Sequence, residues 1–151
     1  MTLSDLASIG NFVNGLAVLT SLVFVGFQIH KNTLATQAAS HNAVSDGLNK
    51  FNFMFAESAE VTKLWLDGLR DRRALAPPER WRFDSMLRVY LHVCETMYVQ
   101  ADLGAGDREI MAAEENGIRV VFSSPSVREW WADNPYGFSS RFRDYVEKLW
   151  D

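Results

Sequence analysis

Apolar and small residues run from Leu6 to Ile29 without a single Asp, Glu, Lys or Arg among them. At about 1.5 Å per residue this stretch reaches roughly 36 Å, enough to cross a hydrocarbon layer of about 30 Å with some tilt. The pattern therefore predicts a membrane-spanning helix within residues 1–31. Stepping by about 100° per residue divides its surface in two. One half gathers Ala7, Ser8, Gly10, Asn11, Asn14, Gly15, Ala17, Ser21, Gly26 and Gln28, interrupted by Val18, Leu22 and Val25. The other gathers Leu6, Ile9, Phe12, Val13, Leu16, Leu19, Val23, Phe24, Phe27 and Ile29, with Thr20 among them. Bulky side chains suit lipid tails. Small residues allow close backbone approach between helices, and amides can hydrogen-bond across such a contact. Since the sequence has no second apolar stretch of this kind, another copy or another protein must receive Asn11 and Asn14, and an oligomer is expected.

After Asn32 the pattern changes to shorter amphipathic repeats. Helical spacing continues to about Glu57, with Leu34, Ala38, His41, Val44, Ser45 and Leu48 on a mild stripe and a break expected near Asn32-Thr33. His41, close to that stripe, reads as a packing histidine. A helix opening at Glu57 or Ser58 buries Val61, Leu64, Trp65, Leu66 and Leu69. Pro77-Pro78 ends one helix and starts the next, because proline is tolerated in a first turn whose amides have no internal partner. From Glu79 to Leu103 one side collects Phe83, Met86, Leu87, Tyr90, Leu91, Val93, Cys94, Met97, Tyr98 and Ala101. The opposite side collects Asp84, Arg88, His92, Glu95 and Asp102, with Asp84 and Arg88 at a pairing distance of four. Gly104-Ala105-Gly106 closes this helix. Asp107 caps another, Ser124-Pro125 opens a short one, Asn134-Pro135-Tyr136-Gly137 makes a turn, and Ser139 caps the last, which reaches Leu149-Trp150. The expectation is an all-α chain: one N-terminal transmembrane helix, then a cytoplasmic bundle of about five helices over 32–151.

Composition narrows the partners. About 120 residues beyond the apolar stretch suit one domain with its own core. A net charge of −4 argues against nucleic acid, which usually leaves a basic footprint. The single cysteine, Cys94, excludes an internal disulfide and fits a reducing compartment. Asp5 precedes the apolar stretch while Lys31 and Lys50 follow it, which favours a periplasmic N-terminus and a cytoplasmic C-terminal domain. The absence of basic residues before Leu6 speaks against a secretory signal peptide. The basic cluster Arg70, Arg72, Arg73, Arg80 and Arg82 reads first as a solvated turn paired with Asp71 and Glu79, and second as a contact for anionic headgroups.

Candidate chemistry adds little. His92 and Glu95 share a helix face, but their order is the reverse of the Glu-x-x-His pairs of helical metal sites and no second pair follows. Cys94 and His92, two apart on a helix, point in different directions, unlike a nucleophile and its base. Gly104-Ala105-Gly106 lacks the strand that would make it a phosphate loop. The five tryptophans, Trp65, Trp81, Trp130, Trp131 and Trp150, read as anchors of a helical core. No catalytic residue, cofactor or metal is therefore expected, and a membrane-tethered enzyme ranks last among the function classes.

Several motifs add up to a resemblance: Gln28-Ile-His-Lys-Asn-Thr33, Trp65-Leu-Asp-Gly-Leu69, Leu75 with Glu79-Arg80 and Phe83. The series continues with Glu95, Gln100, Gly104, Ser124-Pro125, Trp130-Trp131, Phe138-Ser139 and Phe142. With these the chain resembles a widespread family of small bacterial proteins that carry one N-terminal span and a helical cytoplasmic domain. Ile110-Met111 stands where relatives often place a tryptophan. The resemblance implies architecture only and lends no activity; the location expected is the bacterial inner membrane. The function expected is a membrane protein that homo-oligomerises through Ser8, Asn11, Asn14, Gly15, Ser21, Gly26 and Gln28 and presents a cytoplasmic domain to a protein partner. The alternative is a homo-oligomeric channel lined by Asn11, Asn14, Ser21 and Gln28.

Overall fold

The structure, a computed structural model, describes residues 3–106, 108–134 and 136–150. The described residues form six α-helices and one 3₁₀ turn, with no strand among them. In order these are α1 (Leu3–Glu57), α2 (Ala59–Arg70), the 3₁₀ turn (Arg72–Ala74), α3 (Pro77–Asp102), α4 (Arg108–Phe122), α5 (Pro125–Asp133) and α6 (Ser140–Lys148). The all-α class is as expected. The cap expected at Asp107 and the proline of the turn at Pro135 lie outside the described residues. The chain divides into two compact units, Met1–Ala38 and Ala39–Asp151.

In the first unit α1 is exposed on every side. Among the described residues it is the one helix long and apolar enough to cross a membrane, and none of its most apolar stretch is buried. The break expected near Asn32-Thr33 does not occur. The Thr33 and Thr36 hydroxyls donate to the carbonyls of Ile29 and Asn32, one turn back, so these polar residues are accommodated inside a continuous helix.

The second unit is a helical bundle. α3 packs against α2, α4 and α6, and α5 packs against α2 and α4. The end of α1 joins them: Phe51 sets its ring edge-on to Trp65 and beside Tyr90. Phe83, Leu87, Leu91, Trp130, Phe142 and Val146 are wholly buried at the centre. Two glycines allow close approach. A methyl group on Gly68 would fall 2.2 Å from the ring of Phe83, so α2 and α3 meet there at a separation only glycine permits. Gly104 adopts φ +71° past the end of α3, and the amides of Ala105 and Gly106 both donate to the Gln100 carbonyl, closing the helix.

Three burial expectations are corrected. Leu66 is 54% exposed on the outer side of α2, and His41 is exposed although Val44, one turn on, is buried. Trp65, Trp130 and Trp131 anchor the core and Trp150 covers its edge, whereas Trp81 is 76% exposed on the first turns of α3.

Candidate functional site

The residues expected to line an oligomer contact or pore, Ser8, Asn11, Asn14, Gly15, Ser21, Gly26 and Gln28, all lie exposed on α1. The hydroxyls of Thr20 and Ser21 donate to the carbonyls of Leu16 and Ala17, at 2.9 and 2.8 Å, and so have their hydrogen bonds inside the helix. The amide-bearing side chains of Asn11, Asn14 and Gln28 have no such backbone route through a short hydroxyl. They are the groups on this helix with most to gain from an external partner. A methyl group built on Gly10, Gly15 or Gly26 would meet nothing within 4 Å. These glycines serve no contact inside the chain. At the far end, the Lys31 ammonium lies 4.8 Å from the centre of the Phe27 ring.

The densest polar constellation lies in the bundle and was not anticipated. Arg72, with only 12% of its side chain exposed, sits on the 3₁₀ turn between α2 and α3. Its Nε and Nη2 donate to the two carboxylate oxygens of Asp84 at 2.7 and 2.9 Å, a two-pronged pairing that suits a planar guanidinium. Its Nη1 reaches Asp133 at 3.1 Å and Glu129 at 3.3 Å on α5, and Arg73 also pairs with Glu129. The backbone joins in: the Arg72 amide donates to the Ser126 hydroxyl, and the Ser124 hydroxyl donates to the Leu69 carbonyl. Donation to the Asp84 carboxylate holds the Arg72 guanidinium charged well beyond its ordinary range, against the opposing effect of burial.

This clasp revises several expected pairings. Asp84 binds Arg72 rather than Arg88, while Arg88 donates to Asn134 and lies 5.1 Å from the Trp130 ring. Among the described residues Asp71 and Glu79 form no ion pair with these arginines. Asp71 instead accepts from the amides of Arg73 and Ala74, and Glu79 accepts from the amide of Ala76. Arg82 pairs with Glu60, and Arg70 with Asp67, which also binds Lys63. The physical reason is chain direction: partners three or four apart compete with residues that a turn brings in from distant helices, here at separations of 12 to 61. Such partners leave no periodic trace in a sequence.

The remaining candidates are structural. Glu95 accepts the Ser139 amide at 2.6 Å, fixing the start of α6, and His92 lies 3.3 Å from the other Glu95 oxygen beside the Phe138 ring. No group of three or more His, Cys, Asp or Glu stands close enough to hold a metal among the described residues. Cys94 is buried on α3 next to Tyr90; burial pushes its thiol up to about 12, which leaves it protonated and a poor nucleophile. A cleft of about 380 Å³ between α2 and the start of α3 is lined by Leu64 and Leu75 among others. Its charged lining includes the Lys63–Asp67 and Arg82–Glu60 pairs already described, with Arg70, Asp71 and Glu79. Comparison with protein-family models, with characterised proteins and with solved structures yields no match.

Proposed function

We propose that this chain is a single-pass bacterial inner-membrane protein that self-associates through the small and polar stripe of α1 and presents its bundle in the cytoplasm as an interaction domain. One observation carries the reading: the bulky apolar side chains of the uncharged stretch Leu6–Ile29 are exposed, with no other part of the described chain packed on them. An apolar surface of this extent requires an apolar surrounding. Lipid meets that requirement on the bulky side. On the other side, Asn11, Asn14 and Gln28 need hydrogen-bond partners that acyl chains lack, and a facing copy supplies the same amides in return. The resemblance of the motifs from Gln28 to Phe142 to small bacterial single-span proteins supports the same placement. Lys31 and Lys50 beyond the stretch favour a cytoplasmic bundle.

The bundle, in this reading, binds a protein rather than transforming a small molecule. Its polar clusters are engaged in holding helices together, and the Cys94 thiol is buried.

The test combines alkaline carbonate extraction with cross-linking in membranes. The wild type should remain in the membrane pellet and cross-link as an oligomer. Asn11→Leu and Asn14→Leu should stay in the pellet, keep the tryptophan emission of a folded bundle and lose most of the cross-linked species. Release of the wild type by carbonate overturns the anchoring. Undiminished cross-linking in both variants overturns the interface, and ion flux through vesicles holding the purified protein would replace the packed stripe with a pore.

A further inference from the structure

We draw no further inference here: the strongest candidate, the charged cleft between α2 and the start of α3, carries nothing because each charged side chain lining it is engaged by another of them or by a backbone amide, and nothing in the structure shows what would occupy it.

Discussion

The helix of the first unit and the bundle of the second use similar residues under opposite rules. Phe12, Leu16, Leu19 and Phe24 are exposed by more than half, whereas Phe83, Leu87, Leu91 and Phe142 are wholly buried. Some of the glycines divide in the same way, although Gly117 of α4 is as open as those of α1. Gly10, Gly15 and Gly26 have open space where a side chain would go, while Gly68 and Gly106 have a neighbour closer than 3.0 Å. In the bundle each of these residues has its reason in another residue of the chain. Along the N-terminal part of α1 the reason lies outside the chain, in whatever surrounds the helix. A substitution should thus be felt in one compartment and not in the other, which makes the comparison testable.

The largest effect is expected from charge at the middle of the apolar stretch. Val18→Arg together with Leu19→Arg should cost about 5–7 kcal/mol of membrane insertion, at about 2.5–3.5 kcal/mol for each central arginine. Carbonate should then release the protein, while the thermal transition of the bundle stays where it was. A bundle that unfolds along with this change would break the comparison. The glycines sharpen it. Gly68→Val forces a branched side chain into the Phe83 ring, which cannot retreat in a filled core, and should destabilise the bundle by about 3 kcal/mol. Gly15→Val should leave bundle stability unchanged and be read only in cross-linking. Denaturant titration of both variants checks this.

A smaller effect should come from the clasp. Arg72→Met removes the cation shared by Asp84, Glu129 and Asp133, leaving three carboxylates facing one another with Arg73 as the remaining counter-charge. Asp133 is more than half exposed and water screens it, so the loss should be about 2 kcal/mol rather than the larger figure for a fully buried pair. Adding salt should narrow the gap between variant and wild type, and a gap insensitive to salt would point to lost packing instead.

Helices were legible in the sequence because their signals are local. Ser58 accepts the Val61 amide, Pro77 and Pro125 occupy first turns, and Gly104 takes the left-handed conformation its position called for. The buried side of α3 likewise follows from spacing alone. What stayed illegible depends on distant partners. Trp81 and Trp130 are the same residue type, and only the packing of α5 against α2 and α4 decides that Trp130 is covered while Trp81 is not. Ser124 and Ser139 mark helix starts as expected, yet neither caps with its own hydroxyl. Ser124 donates to Leu69, and the Ser139 amide is met by Glu95. Along Leu6–Ile29 the expected stripe and the bulky side are exposed alike, so what either faces is a property of the surroundings.

The smallest effect concerns the buried thiol, and its sign follows from linkage. Burial raises Cys94 from an ordinary value of 9.0 to about 12, with the Tyr90 hydrogen bond opposing and the nearby Glu114 charge adding to the rise. The unfolded chain therefore loses this proton near pH 9 while the folded bundle keeps it. Stability from this group is fully present below pH 9 and declines as pH rises towards 12, by about 1.4 kcal/mol per pH unit. Cys94→Ala should remove that slope while adding a modest, pH-independent loss for the missing sulfur. Tyr90 and Tyr145, both raised chiefly by burial, add declines that begin one unit higher, that of the half-exposed Tyr145 being the weaker. Denaturant midpoints between pH 8 and pH 10 thus isolate the thiol. Equal slopes in the two proteins would mean that Cys94 meets water in the folded state, against its burial beside Tyr90. Carbonate extraction of the apolar helix should be the same for both, since no group on Leu6–Ile29 titrates in this range.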